Sequence, residues 1–269
     1  MDKDILNEAI VQAISESDVM MTPLRLESLI SNQCGVSRKE IRNNVRYLVG
    51  CGELEYVYEY GSSFLVLCFN RPVRVSEHVI LKPPEIQYDP DEKDVVVNLQ
   101  KGVSFGSGRH PTTNLCIRAM DKYLWNRKYN GQARVLDVGT GNGILSIAAV
   151  CLGMKQAIGI DVDINARVEA KNNVKLNALE AVISIGEAGL DSLEDEYELI
   201  VANLRFPTIQ MICSQLSALS ASGGKIIISG IREDEAIRVI SGYCAQGFKK
   251  LDLNSWKGWS CVVFEKPSC

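Results

Sequence analysis

The stretch Val135-Leu136-Asp137-Val138-Gly139-Thr140-Gly141-Asn142-Gly143, running into the apolar segment Ile144–Leu152, decides how the chain is read. A buried-strand pattern ends in a turn where glycines alternate with short polar residues, and a helix-forming segment follows. Glycine lets the backbone turn sharply and approach a ligand closely, while the start of the next helix offers unpaired N–H groups. A dinucleotide fingerprint, G-x-G-x-x-G, would want glycine at position 144, where this chain has Ile144; the spacing here is G-x-G-x-G. The carboxylate of Asp137, just ahead of the loop, suits the cationic end of a ligand better than a pyrophosphate. A tight strand-to-helix turn with no ligand is the plain alternative.

Outward from this loop the rhythm is strand, helix, strand. Ala157–Ile160 reads as the next strand with a helix over Asn165–Leu176 behind it. Val182–Ile185, Leu199–Ala202 and Ile226–Ile228 read as further buried strands, and Phe248–Leu253 with Ser260–Phe264 as a closing antiparallel pair. This alternation predicts an α/β fold of Rossmann-like type: a mostly parallel, doubly wound sheet with helices on both faces and an antiparallel C-terminal strand.

Three more stretches carry candidate chemistry. Asp161, in Ile160-Asp161-Val162-Asp163, lies 20 residues beyond Gly141, where a carboxylate takes hydrogen bonds from ribose hydroxyls; Asp163 is the better helix cap. Asn203 ends Val201-Ala202-Asn203 at a strand's carboxyl end, where open α/β sheets bind ligands, and its amide could hold an amino nucleophile; a turn-forming Asn is the alternative. Phe105-Gly106-Ser107-Gly108-Arg109-His110-Pro111-Thr112-Thr113 reads either as a flexible loop and helix cap or as a lid whose hydroxyls face the ligand.

The first 70 residues have another character. Ile5, Ala9, Ile10, Ala13 and Ile14 recur at helical spacing, Thr22-Pro23 opens a second helix, and Ser37 with Glu40 makes a capping box for a third. Two strands around Gly61-Ser62 follow. Three helices and a two-stranded wing predict a winged helix-turn-helix domain over residues 1–70. Arg38, Arg42 and Arg46 would lie along one face of its third helix, where such domains read nucleic acid, whereas Glu53, Glu55 and Glu59 make the wing acidic; a solvated or protein-docking face is the alternative. Residues 71–100, with Pro72, Pro83, Pro84 and Pro90, read as a linker whose end, Val95–Leu99, is the first strand of an α/β domain over 101–269.

Composition sets the outer limits. Of 269 residues 46% are apolar and 23% charged, the balance of a globular protein. The longest nearly uncharged apolar run, Gly143–Met154, falls short of the ~20 residues a membrane helix needs. Asp2, Lys3 and Asp4 open the chain without a secretory pattern, so a soluble cytoplasmic protein without membrane partners is expected. The nine cysteines form no C-x-x-C pair and the only histidines are His78 and His110, so no metal centre is expected. Net charge is −4, and over residues 1–85 nine Lys/Arg stand against twelve Asp/Glu, so neither half is a polycation.

Together, Phe105–Thr113, the glycine loop, Gly159–Asp163, Val201–Asn203 and Ser229-Gly230-Ile231 closely resemble the ribosomal-protein lysine methyltransferase (PrmA-like) family, within the class I S-adenosylmethionine-dependent methyltransferases. The likeness covers about residues 95–269, and the FGSGRHPTT run is its specific part. It implies S-adenosyl-L-methionine as cofactor, methyl transfer to protein amines, and a cofactor site using Thr113, Gly139, Asp161 and Asn203. Phe105, Thr112, Asp137 and Gly141, in the same motifs, complete the expected set, and Asn203 is the expected catalytic residue. Trp259 matches a family aromatic, though a core tryptophan is an equal reading. The family usually continues Ile-Leu-Ala-Gly-Pro after the position of Asn203; this chain reads Leu204-Arg205-Phe206-Pro207, so the acceptor pocket is expected to differ. Two rival readings use the N-terminal domain: an RNA or DNA methyltransferase guided by it, or a non-enzymatic regulator that senses the cofactor and binds DNA.

Overall fold

The computed structural model describes residues 3–17, 19–59, 61–100, 110–127 and 133–268. The chain divides into two compact units, Met1–Asn70 and Arg71–Cys269.

In the first unit α1 (Lys3–Glu16), α2 (Pro23–Cys34) and α3 (Arg38–Gly50) precede a hairpin of β1 (Leu54–Glu59) and β2 (Ser62–Leu67). Local chemistry sets the helix ends. Thr22 caps α2 by accepting from the Arg25 N–H, Gly35 ends it at φ +66°, and Ser37 caps α3 by accepting from the Glu40 N–H. The buried stripe of α1 (Leu6, Ile10, Ile14) shares one core with Leu26 and Ile30 of α2, Ile41 of α3 and Leu65 of β2. Met21 adds a bridge to the hairpin, accepting from the Leu65 N–H at 2.8 Å.

Residues 71–100 are not a bare linker. They hold β3 (Val73–Arg74), β4 (Val79–Lys82) and β5 (Val95–Asn98), a sheet of their own in which β4 and β5 run parallel. The Val95–Asn98 strand therefore does not begin the large sheet. Side chains far along the chain fasten this small sheet to two helices, α4 (Pro111–Leu124) and α6 (Ile164–Leu176). Asn177, just past α6, accepts from the Asn98 N–H at 2.9 Å and donates to the Asn98 carbonyl at 2.8 Å. Asp121 of α4, 4% exposed, accepts from the His78 backbone N–H at 3.0 Å and pairs with His78 Nδ1 at 2.7 Å. Asp121→Ala leaves both His78 groups buried without that partner and is expected to cost about 2–4 kcal/mol, read as a lowered urea midpoint at unchanged slope.

The large sheet has seven strands among the described residues. In chain order they are β6 (Arg134–Val138), β7 (Gln156–Ile160), β8 (Ile183–Gly186), β9 (Tyr197–Asn203), β10 (Ser220–Arg232), β11 (Lys249–Trp256) and β12 (Trp259–Glu265), arranged β11-β12-β10-β9-β6-β7-β8. The run from β10 to β8 is parallel, and β12 is antiparallel to both its neighbours. The chain leaves β6 towards β7 and returns to β9 on β6's other side, which makes the β6–β9 edge the switch point where such sheets bind ligands. Register places Asp137 opposite Val201 and Ser229 opposite Asn203, so these polar residues gather at the strands' carboxyl ends. Alternation turns Leu136, Ile200 and Ile226 into a core with α7 (Phe206–Met211), α8 (Cys213–Leu219) and α9 (Ala236–Ala245), and sends Asp137 and Asn203 to the face covered by α4 and α5 (Ile144–Cys151). Among the described residues no helix is long and apolar enough to cross a membrane.

Candidate functional site

A cavity of about 630 Å³ opens at this switch point. Thr113, the loop Gly139–Gly141, the β7 end at Asp161–Asp163, the segment Glu187–Leu190 and the β9 end at Asn203–Leu204 line it. Its described lining contains three carboxylates, Asp161, Asp163 and Glu187, and no lysine or arginine.

The loop keeps its shape by engaging its own donors. The Gly139 and Thr140 N–H groups both reach the Ile160 carbonyl, at 2.9 and 3.0 Å, and the Gly143 N–H reaches the Thr140 carbonyl at 2.9 Å. Asp161 accepts from the Gly141 N–H at 2.9 Å, and the Asn142 side chain accepts from the Ile144 N–H at 3.2 Å. Five donors expected to greet a ligand, the N–H groups of Gly139, Thr140, Gly141, Gly143 and Ile144, are therefore occupied within the protein and are not free for an anion. Gly139 sits at φ +71°, and a Cβ there would overlap Leu204 Cδ2; Gly230, at φ +82°, presses on the Leu204 backbone from the other side. Both glycines are required by the close approach of Leu204.

Asp137 does not line the cavity. It is fully buried beneath the loop, where one carboxylate oxygen accepts from Thr140 Oγ1 at 2.7 Å and from the Ser146 N–H and hydroxyl at 3.0 and 2.8 Å. Its other oxygen has no hydrogen-bond partner among the described residues. Burial pushes the Asp137 carboxyl above its ordinary range, against the pull of the Thr140 and Ser146 hydrogen bonds. The residue expected to meet a cationic ligand instead braces the turn. Thr112 also lies off the cavity wall: it is 0% exposed and its hydroxyl pairs with His110 Nδ1 at 2.7 Å. Successive helical residues point about 100° apart, so of the two threonines only Thr113 faces inward.

Asp161 and Asn203 do reach the cavity. Besides Gly141, Asp161 accepts from the Asp163 N–H at 2.9 Å, and each carboxylate oxygen keeps lone-pair capacity for a further donor. Arg167 steadies this corner by donating to the Asp161 carbonyl at 2.8 Å and to Glu187 at 2.6 Å. Asp163 caps α6 through the Asn165 N–H. Asn203 donates from Nδ2 to Thr113 Oγ1 at 3.4 Å, while its Oδ1 is buried without a hydrogen-bond partner among the described residues. A buried, unmet carbonyl is destabilising, and a donor arriving in the cavity would satisfy it.

Phe105 lies outside the described residues, with the rest of 101–109. The Trp259 ring is 3% exposed, edge-on to His110 at 5.0 Å and beneath the Arg232 guanidinium at 3.8 Å. Leu204, from the stretch expected at the acceptor pocket, is a wall residue; Glu187–Leu190 are wall residues that motif reading missed, although they follow the carboxyl end of β8, where the switch-point rule points. Past Asn203, Leu204 packs between the two glycines, Arg205 is exposed, and Phe206 is buried with the Arg238 guanidinium 4.4 Å from its ring.

A family model for ribosomal protein L11 methyltransferase (PrmA) matches residues 68–267. The chain belongs to the ribosomal protein L11 methyltransferase family. The match reaches back through the β3–β5 sheet, further than the motifs alone indicate, and leaves nearly all of the first unit outside it. The ribosomal protein L11 methyltransferase of Heliobacterium modesticaldum is 36% identical over 196 residues, covering 72% of this chain and 60% of the relative. That of Geobacter sulfurreducens is 35% identical over 193 residues, covering 72% and 62%. The chain thus spans less than two thirds of the length of these family members. The crystal structure of a ribosomal protein L11 methylase from Lactobacillus delbrueckii subsp. bulgaricus superposes with a TM-score of 0.66 at 25% identity, covering 73% of this chain and 99% of that one. The α/β unit has the methyltransferase fold of the family.

Proposed function

We propose that the chain is an S-adenosyl-L-methionine-dependent methyltransferase that transfers a methyl group to an amino group of a protein. One observation carries this reading: the Gly139, Thr140, Gly141 and Gly143 N–H groups are engaged internally, Asn203 Oδ1 is unmet among the described residues, and Asp161 offers acceptors to a cavity whose described lining holds no lysine or arginine. Such a site favours a ligand that brings hydroxyl and N–H donors and positive charge, and disfavours a pyrophosphate. S-adenosyl-L-methionine fits: Asp161 would take its ribose hydroxyls, Gly139 and Gly141 would let the chain approach closely, and Val162 and Leu190 supply apolar wall for its base. The names of the relatives support a protein acceptor.

The bound cofactor supplies an electrophilic methyl group on a sulfonium, so the protein's task is alignment and exclusion of water. Thr113 holds the Asn203 amide through Nδ2, and an amine that reached the buried Oδ1, unpartnered among the described residues, would donate to it and turn its lone pair towards the methyl group. A lysine nucleophile, with an ordinary pKa of about 10.4, must arrive without its extra proton. Desolvation against Leu204 and Ile212 favours the neutral amine. Within Leu204-Arg205-Phe206-Pro207, where the family usually differs, Leu204 is the residue that lines the described cavity, and it is the place to look for a changed acceptor.

Incubation of the chain with cell extract and cofactor labelled on its methyl group tests the reading. Label is expected in protein, resistant to nuclease and recovered as methylated amine after hydrolysis. Label confined to RNA, DNA or small molecules would overturn the assignment of the acceptor.

A further inference from the structure

The charges of the first unit are sorted by face. Residues 22–50, holding α2 and α3, carry five Lys/Arg (Arg25, Arg38, Lys39, Arg42, Arg46) against Glu27 and Glu40. The other residues up to 70 carry only Lys3 against eight Asp/Glu. A unit that is acidic in sum thus concentrates its positive charge on two helices joined by the three-residue turn Gly35-Val36-Ser37.

The cations on α3 are turned outward, and two of them, Arg38 and Arg42, are held by α2. Ile41, Asn44, Val45 and Leu48 are the buried side of α3, and Asn44 donates to Asn7 of α1 at 3.2 Å. Lys39, Asn43 and Arg46 are exposed at i, i+4 and i+7 on the opposite side. Arg42 is clamped on the buried Glu27, with Nε at 2.9 Å and Nη2 at 3.2 Å, which neutralises its charge. Arg38 donates to Ser28 of α2 at 3.2 Å. Arg25, Arg38, Lys39 and Arg46 remain as cations without a carboxylate partner among the described residues.

We propose that this face docks on double-helical DNA, with α3 in the major groove and Arg25 and Arg38 on the flanking phosphates. Lys39 and Arg46 lie about 10 Å apart along the helix axis, which suits a groove about 12 Å wide. Protein-docking faces centre on aromatic or aliphatic anchors, and the Lys39–Asn43–Arg46 stripe has none; the neighbouring Tyr47 ring, half exposed, has Lys3 Nζ 3.5 Å from its centre, and the exposed Leu24 lies on α2. Lysine, arginine and asparagine are also the side chains that pair with guanine and adenine edges. An A-form RNA duplex does not fit, because its major groove is too narrow for a helix.

The test is fluorescence anisotropy of the full chain against a labelled 20-base-pair mixed-sequence DNA duplex, from 50 to 200 mM salt. Arg25 and Arg38 on the phosphates with Lys39 and Arg46 in the groove bring four cations against the duplex, and displacement of about four counterions should give a slope of log Kd on log salt of about 3–4. The double variant Lys39→Glu, Arg46→Glu should weaken binding at least about tenfold at 100 mM salt and lower the slope by about two. Its helical circular dichroism and its heat of binding to S-adenosyl-L-homocysteine should stay as in the wild type, so failure of this inference is distinct from failure of the methyltransferase reading. No binding at 50 mM salt, unchanged binding by the variant, or an RNA duplex bound as tightly as DNA would each overturn the proposal.

Discussion

Asn203→Ala is expected to lower kcat about 100-fold while changing the affinity for S-adenosyl-L-homocysteine by no more than about threefold. The reason is the one-sided use of the amide: Thr113 Oγ1 takes the Nδ2 hydrogen at 3.4 Å, and Oδ1 is left buried and unmet among the described residues. An acceptor fixed in that way orients an incoming amine, and alanine removes it without filling the cavity. Thr113→Val loses only the clamp, so a smaller fall of about tenfold in kcat is expected. Steady-state rates and calorimetry on the same preparations separate the two effects; equal losses in turnover and in cofactor affinity would mean that Asn203 serves binding alone.

Gly139→Val is expected to weaken S-adenosyl-L-homocysteine binding at least about 100-fold. Position 139 sits at φ +71°, which strains any branched residue by about 1–2 kcal/mol, and the new Cβ would overlap Leu204 Cδ2. The Leu204 backbone is held by Gly230 and by its N–H bond to the Ser229 carbonyl at 3.1 Å, so relief must come from its side chain or from the loop. The displaced Leu204 side chain or the loop then intrudes on the cavity that both line. Gly153→Val is the control: φ is +116° there, but nothing lies within 4 Å of the added Cβ. It should lower the melting temperature and leave the affinity unchanged. Wild-type affinity in Gly139→Val would refute the close approach on which the site's shape depends.

The α/β framework is legible because its signals are local: short apolar strands, glycines at the turns, and a cap at Asp163 that the spacing picks out. Helices α7 and α8 escape a reading by strands and turns, although Phe206, Ile209, Ile212, Leu216 and Leu219 recur every three or four residues, all buried. The β3–β5 sheet is hidden for a different reason. Its prolines look like a connector, and the parallel pairing of β4 with β5 depends on partners such as Asn177 and Asp121 that lie far along the chain. The same limit applies at the site. A motif shows that residue 137 is acidic, and only the fold shows that Thr140 and Ser146 occupy it. Thr112 and Thr113 are alike as letters and separate only once the helix turns one of them away.

Calorimetric titration of the full chain with S-adenosyl-L-homocysteine, beside a parallel titration with NAD, tests the central claim most directly. Saturable single-site heat with the sulfur nucleoside, reduced at least about tenfold in affinity by Asp161→Ala, and no heat with the dinucleotide are expected from a cavity whose donors are engaged and whose acceptors face inward. No heat with S-adenosyl-L-homocysteine, or tighter binding of the pyrophosphate ligand, would contradict it.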